Sequence, residues 1–311
     1  MNKVATRTAY GETLVELGKI NKDIIVLDAD LSKSTKTALF GKAFPDRFVN
    51  VGIAEQDLIG TAAGFASTGK IVFASTFAMF ATLRAFEQIR NTVAYSKLNV
   101  KVCPSHAGIS VGPDGSSHQP IEDISIIRSI PNMVVISPGD YYETREAIKF
   151  AAEYYGPMYI RLSRLKFPIV FDENYKFELG KGIVLKEGHD VTLMAHGLML
   201  TEIIEAAELL KKDGIDARVI NMPTIKPLDK ELCMKCANET KFILTLEEHS
   251  VIGGLGSAIA EYLSEEKPTK VIRMGVNDVF GQSGEGEELI DKYGLRAINV
   301  VERVKKELGN F

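Results

Sequence analysis

Apolar, β-branched runs alternate with stretches of helical period along the whole chain. IIVLDADL (24–31), RFVNVGI (47–53), KIVFAST (70–76), NVKVCPS (99–105), NMVVISP (132–138) and MYIRLS (158–163) read as strands. Between them, Arg7–Lys19, Glu55–Ser67, Met79–Ser96 and Tyr141–Tyr154 carry apolar residues at helical spacing. Continuously apolar strands with helical crossovers predict a parallel sheet covered on both faces. The pattern breaks over 166–182, where turn signals replace any sustained period, which predicts a linker. A second alternating set follows it. Strands GIVLKEG, DVTLMAHG, DARVINM, KFILTLEEH and KVIRMGV are interleaved with helices at Leu198–Asp213, Asp229–Thr240, Leu255–Leu263 and Arg296–Leu308. GIVLKEG and DVTLMAHG are separated by a glycine-containing turn, so the first is expected to pair antiparallel at an edge. The chain therefore reads as α/β, with three-layer domains at 1–165 and 183–311.

Composition narrows the classes of function. The 311 residues are 45% hydrophobic and 25% charged, which excludes wholesale disorder and a collagen-like fibre. The formal net charge of −4 argues against a general nucleic-acid binder, because phosphate contacts need a surplus of Lys and Arg. Three irregularly spaced cysteines make no disulfide framework, so a reducing, cytoplasmic setting is expected. Cys233 and Cys236 form a lone CxxC; without a second pair they read as ordinary thiols on a helix. The N-terminal stretch has no apolar signal region, and the most apolar run, Ile71 to Leu83, is too short to span a bilayer. No membrane association is expected.

Ligands of open parallel sheets sit at the carboxyl ends of the strands. Here those ends are rich in polar and aromatic groups. Glu55 follows a strand directly and opens an Ala- and Gly-rich helix. Such a carboxylate can simply complement the helix dipole. Close packing by its small neighbours would instead bury it and suit it to proton donation. Phe77 and Phe80 stand at a strand-to-helix junction, where a flat ring could stack on a heterocycle; Phe86 reads as core. The loop 104–123 holds His106, Asp114 and His118 among Gly, Pro and Ser. A metal reading is open, but the spacing matches no compact zinc motif, and acid–base or hydroxyl-recognition roles suit these residues better. Arg7, Ser34 and Arg164 are distant in sequence. Ser34 and Arg164 fall on the same rim, and two guanidiniums with a hydroxyl suit a phosphate monoester. The turn GGLG at 253–256 lacks the spacing of a dinucleotide loop and reads as a tight strand-to-helix turn.

Together these stretches resemble the transketolase family of thiamine diphosphate enzymes. GIAEQ, STFAMF, SHAGISVGPDGSSHQPIED, NMVVISPGD and LSR occur in the family's order. IKPLD, TLEEHSVIGGLGSAIAEYL and GVNDVFGQSGEGEELIDKYGL look like its C-terminal domain, so the resemblance runs through essentially the whole chain. Residues 1–165 are then expected to be a pyrimidine-binding domain and 183–311 a transketolase C-terminal domain. Complete members also carry a domain with a GDG motif followed by Asn, which grips the cofactor diphosphate and Mg²⁺; no GDG occurs here. The resemblance thus implies the C-terminal subunit of a split transketolase, working with an N-terminal subunit in an α2β2 assembly, with no metal ligand of its own.

By the same resemblance, Glu55 matches the glutamate that contacts a ring nitrogen of the aminopyrimidine. Phe77 and Phe80 match its packing aromatics, and Asp30 an acidic residue near the cofactor. His118 matches a histidine beside the reacting carbonyl, and Asp114 a residue that reads the sugar's hydroxyl configuration. Arg7, Ser34, His106 and Arg164 match contacts to the phosphate end. The implied reaction moves a two-carbon ketol unit between sugar phosphates of the pentose phosphate pathway. The segment after Phe80 is longer than in standard transketolases, and Arg84 could face substrate, as a similar arginine does in deoxyxylulose-phosphate synthase. That synthase and the β chain of 2-oxo acid dehydrogenases are the nearest alternatives. The latter lacks the SHAGISVGPDGSSHQP loop, and His106 in PSHAG favours transketolase over the former. A catalytically silent protein on the same fold is disfavoured by Glu55, His106, Asp114 and His118 occurring together.

Overall fold

The computed structural model describes residues 2–309. The chain opens with β1 (Lys3–Val4) and α1 (Thr6–Ile20), then β2 (Ile24–Asp28), the short helices α2 (Ser32–Thr35) and α3 (Ala38–Ala43), and β3 (Phe48–Asn50). It continues through α4 (Glu55–Ser67), β4 (Ile71–Ser75), β5 (Val100–Val102), α5 (Asp123–Arg128), β6 (Val134–Ile136), α6 (Tyr141–Glu153) and β7 (Met158–Ile160). Strands β6-β7-β5-β4-β2-β3 lie side by side in that order, all parallel. Both faces are covered. Tyr10 and Leu14 of α1 and Ala147 and Ile148 of α6 pack with Phe73 and Ile160 on one side. Leu58, Ile59 and Ala62 of α4 close the other. The register sets Asp28 beside both Ser75 and Asn50, so three polar residues meet at the carboxyl rim.

The second half begins with β8 (Phe167–Pro168), β9 (Ile183–Lys186), β10 (Val191–Ala195), α7 (Met199–Lys212), β11 (Ala217–Asn221) and β12 (Thr224–Lys226). It ends with α8 (Lys230–Glu239), β13 (Ile243–Ser250), α9 (Leu255–Glu266), β14 (Val271–Val276), α10 (Gly286–Lys292) and α11 (Ala297–Leu308). Its sheet has the order β14-β13-β10-β11-β9. β9 is the expected antiparallel edge, but its partner is β11 rather than the adjacent β10. Cys233 and Cys236 are buried on the inner side of α8. At the GGLG turn, Glu247 accepts the N–H groups of Leu255 (2.6 Å) and Gly256 (2.7 Å), so the chain itself caps α9.

Three features depart from the simple pattern. β12 leaves the second half and adds antiparallel to β6, extending the first sheet to seven strands. The segment expected to be a linker is tied down: β8 pairs antiparallel with β1, and Asp140 accepts the N–H groups of Val170 and Phe171 at 2.8 and 2.7 Å. The segment expected to be one α-helix over 79–96 is instead π-helical at Phe80–Arg84 and again at Gln88–Tyr95. A π turn absorbs an extra residue without breaking the helix, and such turns gather at functional sites.

Candidate active site

The carboxyl end of β3 turns through Gly52, at φ +78°, into α4, whose first residue is Glu55. Partial positive charge at the helix start favours a carboxylate there. Glu55 is only 6% exposed, and its Oε1 accepts a hydrogen bond from Arg84 Nη1 at 3.0 Å. The same guanidinium lies over the Phe80 ring, its central carbon 4.1 Å from the ring centroid. Glu55 and Phe80 thus bracket a flat cation between an acceptor and a π face. The bracket opens on a cleft lined by Ala54, Gln56 and Asp57.

From Phe80 the cluster runs inward. Phe80 lies parallel to Phe77 with centroids 6.0 Å apart, and the His118 ring meets Phe80 edge-on at 5.2 Å. Phe77 stacks on His106 at 3.8 Å. A single parallel bridge between Phe77 and Ser105 joins the two strand ends that deliver these rings. His106 is buried and sits at φ +61°. Its Nε2 is 3.4 Å from Arg7 Nη1, which can only donate, so Nε2 accepts and Nδ1–H donates to Ser105 Oγ at 2.8 Å. Burial, then the charges of Arg7, Arg164 and His118, push the His106 pKa down to about 3. Its ring is neutral at any ordinary pH. Arg7 is itself held below the usual guanidinium range, first by burial and then by Arg164.

The loop carrying Asp114 and His118 is clamped from the second half. Glu248 Oε1 accepts the N–H of Ser110 at 2.5 Å, and Arg161 Nη2 reaches the Glu248 carbonyl at 3.0 Å. Buried Gln119 donates to the carbonyls of Ile109, Gly112 and Gln282. Arg164 donates to the Val111 carbonyl.

Glu55, Phe77, Phe80, His106, His118, Arg7 and Arg164 therefore form one continuous group. Ser34 joins it through its backbone carbonyl, which accepts Arg7 Nη1 at 2.8 Å, rather than through its hydroxyl. Asp114 is exposed on the loop. Asp30 stands on the rim at φ +61°, its N–H bonded to Asn50 Oδ1 at 3.0 Å, with no bond to the aromatic cluster. Among the described residues, no set of three or more His, Cys, Asp or Glu side chains is placed to hold a metal ion. Nor is any helix there long and apolar enough to cross a membrane. Sequence reasoning noted Arg84 but not its position against Glu55; the length of the segment after Phe80 was the available signal. Gln119 and Glu248 gave no signal beyond standing in quoted motifs.

The transketolase pyrimidine-binding domain family matches residues 2–169, and the transketolase C-terminal domain family matches residues 180–300. A "Putative transketolase C-terminal section" from Methanocaldococcus jannaschii is 53% identical over 305 residues, covering 97% of this chain and 96% of that one. A 6-deoxy-6-sulfo-D-fructose transketolase subunit from a Clostridium species is 42% identical, covering 95% and 92%. Among solved structures, "Split gene transketolase, inactive beta4 tetramer" superposes with a TM-score of 0.90 at 55% identity, covering 98% of both chains. The chain belongs to the transketolase family, as a split-enzyme subunit of its C-terminal kind.

Proposed function

We propose, with that membership as premise, that this chain supplies the pyrimidine-binding half of a two-chain, thiamine diphosphate-dependent transketolase. It moves a two-carbon ketol unit from a ketose phosphate to an aldose phosphate, in cytoplasmic pentose phosphate metabolism. Residues 1–165 form the pyrimidine-binding unit, 166–182 the linker and 183–311 the C-terminal unit. Mg²⁺ and the cofactor diphosphate are held by an N-terminal subunit bearing a GDG motif, in an α2β2 assembly. The similarity to a transketolase C-terminal section and to a split-gene transketolase favours such a partner.

One observation carries the reading: a planar N–H donor already lies between Glu55 and Phe80. A site that accepts a guanidinium in that pose offers the acceptor and the π face that an aminopyrimidine protonated at its ring nitrogen requires. The cofactor, when bound, supplies a carbon nucleophile able to attack a ketose carbonyl. The chain's own residues do the rest. Glu55 holds a proton at a ring nitrogen, and Phe80, backed by Phe77, fixes the ring plane. Asp30, on the rim, would supply an acidic group toward the cofactor. His118 is half-buried at the inner edge of Phe80, where it moves a proton at the substrate carbonyl and recognises a hydroxyl. Asp114 reads hydroxyl configuration from the same loop. Arg7 and Arg164 bring positive charge to the phosphate end, Ser34 a hydroxyl donor, and His106 an acceptor that holds Arg7 in place. Neutral His106 contributes direction there rather than charge.

The test is reconstitution. The isolated chain should show no transfer with a xylulose phosphate donor, thiamine diphosphate and Mg²⁺. Adding the N-terminal subunit should restore it. Full activity of the chain alone would reject the two-chain assignment.

A further inference from the structure

We infer that Arg84 occupies the aminopyrimidine's place in this chain and sets the cofactor's apparent affinity, because it must leave the Glu55–Phe80 bracket before the ring can enter. The inference rests on the cofactor reading above and adds a residue to it. Arg84 makes both contacts that the reading assigns to the heterocycle: a hydrogen bond to Glu55 at 3.0 Å and a stack on Phe80 at 4.1 Å. Guanidinium is flat, delocalised and rich in N–H groups, so toward Glu55 it copies the shape and the N–H donor of an aminopyrimidine whose ring nitrogen carries the proton. One face of one phenyl ring cannot hold both groups. His118 stands edge-on to that phenyl at 5.2 Å and Phe77 lies 6.0 Å away, so no second stacking position offers itself beside it.

The contact is built to be released. The Arg84 side chain is 53% exposed, whereas that of Glu55 is 7% exposed. The guanidinium therefore reaches in from the surface and can swing out without uncovering core. Its backbone stays put, because Gln56 Nε2 donates to the Arg84 carbonyl at 3.2 Å within the π-helical turn. Ligand affinity falls in proportion to the fraction of protein in the competent state. A part-exposed ion pair plus a cation–π contact are together modest, so docked Arg84 should weaken cofactor binding by about three- to thirtyfold.

The experiment measures thiamine diphosphate affinity calorimetrically, with Mg²⁺ present, on the chain reconstituted with its N-terminal subunit. Arg84→Ala should tighten binding by that factor. Arg90→Ala, which removes an exposed charge on the same segment, should leave it unchanged. Unchanged or weaker binding by Arg84→Ala overturns the inference; weaker binding would make the arginine a ligand-facing group instead. Equal tightening by both variants overturns it too, as a general charge effect. Adding Glu55→Gln to Arg84→Ala tests the underlying cofactor reading by itself. Weaker binding in the double variant retains that reading, and unchanged binding removes it whatever Arg84 does.

Discussion

His106 shows how much one residue's surroundings decide. It lies beneath Phe77, beside Arg7 and Arg164, and out of water. Its folded pKa, about 3, is below the roughly 6.5 of an unfolded histidine. As pH falls below about 6.5 the unfolded chain takes up a proton that the folded chain refuses, so stability is lost on acidification. Between pH 7 and pH 5 the loss from this residue should be about 2 kcal/mol. Denaturant unfolding at the two pH values checks it by difference. His106→Asn, which tolerates the positive φ, should lose that share of the acid sensitivity. Equal losses in both proteins, or a His106 resonance titrating near pH 6, would contradict it. Glu55 and His106 were legible in the sequence because their neighbours are local: a strand end, a helix start, a run of small residues. Arg84's position was not, since it depends on a π turn that carries a side chain onto a residue 29 positions away.

At the scale of elements, the loop from His106 to Gln119 is built of two short 3₁₀ turns, Ile109–Asp114 and Ser116–His118, held in place by β13 and the 281–286 stretch. Gly108, at φ +79°, presses against Glu248: a Cβ there would lie 2.4 Å from Glu248 Cδ. No rearrangement of Gly108→Ala avoids both the backbone penalty and the contact. The substitution should cost about 2–4 kcal/mol, read as a lowered unfolding midpoint, and should expose the Ser110 amide to faster hydrogen exchange. Wild-type stability with unchanged exchange would show that the clamp does not shape this loop. Period and composition revealed most strands and the two-sheet plan because buried parallel strands are continuously apolar. They did not reveal β12. Three residues, Thr224–Lys226, carry no period of their own, and their partner β6 lies almost ninety residues earlier.

Across the whole molecule, β12 merges the two halves into shared packing: Ile225 and Met222 bury in the same cluster as Val135 and Tyr159. Polar groups cross the same boundary. Glu143 on α6 accepts hydrogen bonds from Tyr175 in the 166–182 segment and Asn221 on β11, together with the N–H of Gly139. Burial dominates over those hydrogen bonds and pushes its pKa up to about 7, from an ordinary 4.5. Over that window the folded chain retains a proton that the unfolded chain has released. Stability therefore falls as pH rises from about 4.5 to 7 and levels off above, opposite in sign to His106. The contribution is about 2–3 kcal/mol. Glu143→Gln stays neutral and keeps an amide for Tyr175 and Asn221, so it should remove this part of the profile. Urea unfolding at pH 5 and pH 8 decides the matter. Relative to the variant, the wild-type protein should be about 2–3 kcal/mol less stable at pH 8 than at pH 5, whereas parallel profiles would mean that the buried carboxyl titrates as it does in the unfolded chain.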